Sequence, residues 1–236
     1  MELNPSNNKV PRHVGIILDG NRRFAKRLML KPWKGHEWGA KKIQKLVDWC
    51  LEYDLKELTL YVFSLENFDR PKTEFNFLMD LFRKEFSNFK NDPKLKFTRV
   101  NFIGRIQMFP KDIQEIMQEL MEKTKNNKKF ILNFAMAYSG RAEIIDATRR
   151  IASLLQNNKI TERDINDELF SNNLYTSSEP DLIIRTSESR LSGFMLWQGA
   201  YAEIEFLPNT LWPEFSKKDF VKCLQEYSKR DRRFGK

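Results

Sequence analysis

His13-Val-Gly-Ile-Ile-Leu-Asp19-Gly20-Asn21-Arg22-Arg23-Phe24-Ala25-Lys26 runs a short apolar strand, Val14 to Leu18, into a carboxylate, a glycine and an asparagine, and then into the basic first turn of a helix. Strand, sharp turn and helix start together make the geometry of a phosphate site. Gly20 lets the backbone approach a bulky anion, the first N–H groups of the helix point toward it, and Arg22, Arg23 and Lys26 add charge. Asp19 would repel that anion unless a hard divalent cation, most often Mg2+, sat between them. The same residues also read as an N-cap and turn, with Asp19 and Asn21 bonding locally and the cations on a solvated helix face. The stretch by itself leaves both readings open.

Outward from this turn, helical and extended patterns alternate. Lys31-Pro-Trp-Lys34 is a breaker, and Gly35-His36 opens a helix with Ala40, Ile43, Leu46, Val47, Cys50 and Leu51 at helical spacing. Glu57 to Phe63 is a β-rich run that reads as a central strand. It ends in the polar loop Ser64-Leu-Glu66-Asn67-Phe68-Asp-Arg70-Pro71, after which Thr73-Glu74 begins a helix to about Asn91. Phe97 to Ile103 is a strand, Pro110 to about Lys125 a helix, and Phe130 to Ala137 a strand that ends in Tyr138-Ser139-Gly140-Arg141. A helix follows from Ala142 to Leu155, and Thr161 caps a short one. Asp181 to Arg185 and Ala202 to Phe206 are the remaining strands, and Ser216 caps the last long helix.

This alternation predicts an α/β fold, a single domain over residues 1–236 with a mostly parallel central β-sheet flanked by helices. Four strands end in polar or basic loops, at Asp19, Ser64, Ser139 and Arg185. Ligands bind off the carboxyl ends of such strands, so these loops are expected to converge.

Composition narrows the function. The 236 residues carry 41 Lys+Arg against 32 Asp+Glu, a net +9, which favours phosphates, acidic lipid surfaces or nucleic acid. No apolar run reaches the ~18 residues of a membrane span, and Met1-Glu-Leu-Asn-Pro lacks a signal core, so the expectation is cytoplasmic. Cys50 and Cys223 read as buried free thiols, and two histidines, His13 and His36, exclude a multi-histidine metal site. Walker A and G-x-G-x-x-G patterns are absent. Nucleic-acid binding is disfavoured: no such motif occurs, and the cations follow strand ends instead of forming one stripe.

The motifs H-V-x-I-I-x-D-G-N-R-R-F-A-K, G-H, L-T-L-Y-x-F-S-x-E-N-x-x-R-P, Y-S-G-R, D-L-I-I-R-T, F-x-L-W-Q-x-A-Y-A-E and R-D-R-R-F-G, in this order, resemble the cis-prenyltransferase family, the undecaprenyl and dehydrodolichyl diphosphate synthases. The paired D-D-x-x-D motifs of trans-prenyltransferases are absent. A catalytically silent partner subunit of the same fold would typically lack D-G-N-R-R, which is intact. The resemblance implies an undecaprenyl diphosphate synthase-like fold with an apolar tunnel, and a homodimer. It also implies Mg2+-dependent addition of isopentenyl diphosphate to an allylic diphosphate with Z stereochemistry, and leaves room for peripheral membrane contact during lipid release.

By the same resemblance, Asp19 is the Mg2+-linked catalytic carboxylate, assisted at the metal by Glu203. Gly20, Asn21, Arg22 and Arg23 cradle the allylic diphosphate beside His36. Ser64, Asn67 and Arg70 belong to the active-site loop, with Asn67 able to hold a water as proton acceptor. Arg185, Arg190 and Ser192 grip isopentenyl diphosphate, and Arg233-Phe-Gly235 reach the partner subunit's site. Three positions depart from the family pattern. Arg185-Thr-Ser-Glu-Ser-Arg190 is short and lacks a glycine, so its loop is expected to fold differently. Pro32 replaces a cation unless Lys31 or Lys34 substitutes for it, and Ala137 replaces an asparagine. Period-2 alternation puts Phe130, Leu132, Phe134 and Met136 on one strand face. With Val62, bulky Phe130 and Met136 are expected to floor the tunnel and give a short or medium product.

Overall fold

Residues 9–230 are described by a computed structural model. The strands are β1 (His13–Ile17), β2 (Glu57–Ser64), β3 (Thr98–Ile103), β4 (Phe130–Tyr138), β5 (Leu182–Thr186) and β6 (Glu203–Leu207). The helices are α1 (Asn21–Arg27), α2 (Gly35–Glu52), α3 (Lys72–Phe89), α4 (Lys111–Thr124), α5 (Gly140–Gln156), α6 (Asp167–Asn172) and α7 (Lys217–Ser228). The sheet order is β3-β4-β2-β1-β5-β6, and every adjacent pair is parallel. Thr161 caps a 3-10 turn (Glu162–Asp164), and the short helix α6 that follows takes its cap from Asn166.

The strands are central because their residues are apolar on both faces, as a sheet covered on both sides requires. On one face Val14, Ile16, Leu58, Leu60, Leu132 and Phe134 pack under α2, α3, α4 and α7, through Leu46, Phe82, Phe86, Ile113, Met117 and Phe220. Fully burying a side chain of this size stabilises by roughly 1.5–3 kcal/mol. On the other face Ile17, Tyr61, Ala135 and Ile183 pack with Phe194 and Met195. Cys50 and Cys223 are buried free thiols in the larger core, and burial raises the Cys223 thiol to about 12.

The site follows from the order of strands. β1 is flanked by β2 on one side and β5 on the other, so the chain leaves β1 in one direction and returns to its second edge 165 residues later, Ile17 pairing with Arg185 across it. Where connections diverge in this way, the loops at the carboxyl ends part and leave a crevice.

Candidate active site

At the end of β1 the chain turns through Gly20 at φ 107, a left-handed conformation for which glycine is suited. A Cβ there would also lie 2.2 Å from the Ser187 hydroxyl. The turn is tied to the end of β5: the Thr186 hydroxyl donates to the Asp19 carbonyl at 2.7 Å. Asp19 Oδ1 accepts from the Gly20 N–H at 2.6 Å, and Oδ2 accepts from Arg185 Nη2 at 2.9 Å. Arg185, only 3% exposed, also donates to Ser192 Oγ at 2.6 Å and to the Arg190 carbonyl. Arg23 bonds the Ser187 carbonyl at 3.1 Å and lies 3.1 Å from Glu188 and 3.5 Å from Asp19.

A second cluster faces this one. Glu74, in the first turn of α3 and almost fully buried, accepts from Arg70 at 2.9 Å and lies 3.7 Å from Arg22 and 3.9 Å from His36. The His36 ring, then Arg70 and Arg22, hold the Glu74 carboxyl below the usual carboxylate range. Burial holds His36 below its ordinary value, so the ring is neutral near pH 7, and Arg70 Nη1 stands 3.3 Å from its Nε2. Ser64 and Asn67 form a capping box over the 3-10 turn Leu65–Asp69, the Ser64 N–H donating to Asn67 Oδ1 at 3.3 Å.

Both clusters line the mouth of one cavity of about 800 Å³, within the usual range of small-molecule sites. Asp19, Gly20, Asn21, Arg22, Arg23, His36, Ser64, Asn67, Arg70, Arg185 and Ser192 all border it. Away from them the wall is mostly apolar, with Ile43, Val62, Leu78, Leu81, Phe82, Phe86 and Phe134, and Glu85 stands among these residues. Phe86 and Phe134 meet at 5.7 Å between ring centroids.

Several expected residues are elsewhere. Arg190 turns outward to Glu188 at 2.7 Å, with only its backbone carbonyl reaching Arg185. Glu203 opens β6 level with Leu182, at the amino end of the sheet, and pairs with Arg230 at 2.6 Å; Asp19 follows the carboxyl end. Glu203 therefore lies toward the opposite end of the sheet from Asp19 and does not border this cavity. The Ser139 loop, Lys31 and Lys34 do not border the cavity, so three of the four expected loops converge. Phe130 and Met136 share the face of Phe134 but are sealed in the core, Met136 beside a register shift between β2 and β4. Arg233-Phe-Gly235 lie outside the described residues.

Sequence reasoning missed Glu74, Glu188 and Trp212. Glu74 had a signal, an acidic residue in the first turn of a helix that follows Arg70 by four residues. Trp212 lines the cavity and donates to the Gly39 carbonyl at 3.0 Å, a contact across 173 residues that no local pattern announces. Among the described residues no group of three or more His, Cys, Asp or Glu is placed to hold a metal ion.

The family model described as putative undecaprenyl diphosphate synthase matches residues 17–235. An isoprenyl transferase of Thermus thermophilus is 43% identical over 96% of this chain and 89% of its own length. A tritrans,polycis-undecaprenyl-diphosphate synthase (geranylgeranyl-diphosphate specific) of Methanocaldococcus jannaschii is also 43% identical, over 96% of this chain and 83% of its own. The crystal structure of lavandulyl diphosphate synthase from Lavandula x intermedia, in complex with dimethylallyl diphosphate, superposes with a TM-score of 0.90 at 30% identity, covering 96% of this chain and 99% of that one. A parallel sheet whose crevice carries two cationic clusters above an apolar cavity, together with these likenesses, shows that the chain belongs to the cis-prenyltransferase (undecaprenyl diphosphate synthase) family, prenyl-group transferases that condense isopentenyl diphosphate with an allylic diphosphate.

Proposed function

We propose that the cations bordering this cavity divide between the two diphosphates of the condensation, and that the apolar cavity holds the growing chain. One observation carries this reading: Arg22, Arg23, Arg70 and Arg185 border the same cavity, whose remaining wall is mostly apolar. Guanidinium forks suit diphosphate oxygens and are strongest where desolvated, as Arg185 is. Gly20, Asn21, Arg22 and Arg23 are assigned to the allylic diphosphate, with His36 and Arg70 beside it. Arg185 and Ser192 are assigned to isopentenyl diphosphate.

Breaking the allylic C–O bond leaves added charge on the departing diphosphate, and fixed N–H and guanidinium donors aimed at it lower the barrier. The apolar wall keeps water from the carbocation-like fragment. Asn67, at the mouth, is assigned to hold the water or diphosphate oxygen that takes the proton leaving the isopentenyl unit.

Mg2+ dependence is typical of this family. Asp19, a partly exposed carboxylate bordering the cavity, fits a Mg2+ ion shared with substrate phosphates, since Mg2+ commonly takes one or two carboxylates and fills its shell from phosphate and water. When bound, the ion would neutralise developing charge on the leaving diphosphate. We also read residues 1–236 as one domain, and take a homodimer and peripheral membrane contact as part of the proposal. No helix among the described residues is long and apolar enough to cross a membrane.

The deciding experiment is incubation with labelled isopentenyl diphosphate, Mg2+ and a series of allylic primers, followed by mass analysis of the extract. A ladder of prenyl diphosphates is expected, and no incorporation with any primer overturns the reading.

A further inference from the structure

At its far end α1 closes in a backbone motif that ordinarily calls for glycine. The Leu30 N–H donates to the Ala25 carbonyl at 2.9 Å and the Met29 N–H to the Lys26 carbonyl at 3.0 Å, which leaves Met29 at φ 58. A methionine in that left-handed position is strained, and no packing repays it, because Met29 is 96% exposed. Leu28 and Leu30 beside it are 45% and 43% exposed, and Trp38 is 52% exposed. Trp38 packs on Phe24 at 5.6 Å between rings, Leu28 follows Phe24 by four residues on the same helix face, and Met29 and Leu30 continue the chain directly from Leu28, so the exposed apolar side chains are gathered at this end of α1. Scattered apolar residues on a surface are ordinary, whereas a contiguous patch marks a contact surface.

The charge around the patch indicates what it contacts. Between Arg22 and Trp38 the chain carries six cations, Arg22, Arg23, Lys26, Arg27, Lys31 and Lys34, against one carboxylate, Glu37. Arg27 pairs with Glu214 and Lys34 with Glu37, while Lys26 and Lys31 make no ion pair among the described residues. Apolar and tryptophan side chains that project among lysines and arginines fit the interface of an anionic bilayer, where the apolar groups enter the headgroup boundary and the cations meet lipid phosphates. The patch adjoins the cavity mouth, since Arg22, Arg23, Lys26 and His36 of the same segment border it.

We propose that the end of α1 and the segment 28–34 dock on an anionic lipid bilayer, with Leu28, Met29, Leu30 and Trp38 inserted and Lys31 at the headgroups. This deepens the reading of peripheral membrane contact and rests on it. The test is flotation of the full chain with phosphatidylcholine vesicles, with and without phosphatidylglycerol. The wild type is expected to float with the phosphatidylglycerol vesicles, more weakly at high salt. The Leu28→Ser/Met29→Asp variant should lose about tenfold or more of that binding, while turnover of a short soluble primer stays within about twofold. Lys31→Glu should lose the preference for phosphatidylglycerol. A wild type that floats with neither vesicle sinks membrane contact altogether. Wild-type flotation that Leu28→Ser/Met29→Asp does not reduce sinks this surface alone. Loss of a concentration-dependent dimer in Met29→Asp would make the patch an interface between copies of the chain and overturn the assignment.

Discussion

Asp19 and Arg185 close an ion pair at 2.9 Å between the ends of two neighbouring strands. The guanidinium is buried and the carboxylate one-third exposed, so Asp19 is neutralised on one side and open to the cavity on the other. Asp19→Asn keeps a polar partner for Arg185 but removes the charge that a Mg2+ ion needs. It is expected to retain the fold, read by circular dichroism, and to lower turnover ~100-fold or more, as the loss of one transition-state contact does. Near wild-type rates in saturating Mg2+ would refute the assignment.

Arg23 follows β1 and Arg185 stands at the end of β5, and the assignment of each to a different diphosphate predicts a separation of effects. Arg185→Ala should chiefly weaken isopentenyl diphosphate and Arg23→Ala chiefly the allylic substrate, each by roughly tenfold, in line with ~1.5–3 kcal/mol for a charge-assisted contact. Arg190→Ala, whose side chain faces Glu188, should change either by less than about twofold, as exposed pairs do. Isothermal titration with each diphosphate decides it, and equal losses for both ligands in every variant would contradict the division.

Glu74 gathers Arg22, Arg70 and His36 from three different elements. Glu74→Ala leaves Arg70 partly buried without its counter-charge, which should cost about 2–3 kcal/mol. It should also raise KM for the allylic diphosphate more than it lowers kcat, because the donors lose their set positions. Urea denaturation and initial-rate kinetics measure the two effects separately. An unchanged KM would mean that Glu74 serves stability alone.

Product length should be set where the cavity ends. Phe86→Ala and Phe134→Ala remove two rings that meet in the cavity wall and are expected to lengthen the product, with Val62→Ala adding a smaller effect. Phe130→Ala is expected to leave length unchanged and destabilise the fold by ~3–5 kcal/mol, the cost of a cavity in a sealed core. Mass analysis of products from the four variants checks this, and longer chains from Phe130→Ala would move the floor back to that residue.

A pH-dependent pair stands apart from the site. Asp146 bonds Arg105 in two-pronged fashion at 2.9 Å for both contacts and accepts from Tyr175 at 2.5 Å. Arg105 foremost, then Tyr175, holds its carboxyl down to about 2. A carboxyl depressed on folding stabilises above its unfolded pKa of ~3.9 and loses that contribution as pH falls toward 2. Asp146→Asn should therefore be less stable than wild type at pH 7, by about 1 kcal/mol after allowance for partial exposure. The difference should shrink as pH falls from about 5 through 2 and vanish only below the folded value, as read from urea midpoints across that range.

The sheet was legible because buried strands announce themselves as apolar runs between turn residues, and the one-turn cap at Thr161 blurred only because α6 is six residues long. The cradle at Asp19 was legible for the same local reason: strand, glycine and cations stand within a few residues. What the sequence hid was pairing at a distance. Arg190 and Glu203 stand at expected motif positions. Which way Arg190 points depends on Glu188, and the end of the sheet that receives Glu203 depends on strand register. Phe130 and Phe134 share a period, and only the packing of α3 distinguishes the one that meets open space.

The strand order also governs when the site can exist. Every pairing in the sheet is parallel, so none can form as a local hairpin, and β1 waits for a partner more than 160 residues downstream. During synthesis β1, β2, β3 and β4 can assemble first, with one edge of β1 open and Asp19 without Arg185. Long-range parallel pairing of this kind is slow and leaves an unpaired edge exposed to other chains. A nascent chain stalled before Leu182 would thus carry Gly20, Arg22 and Arg23 yet lack half of its cradle. Catalytic competence should appear late, in one step, with the docking of β5.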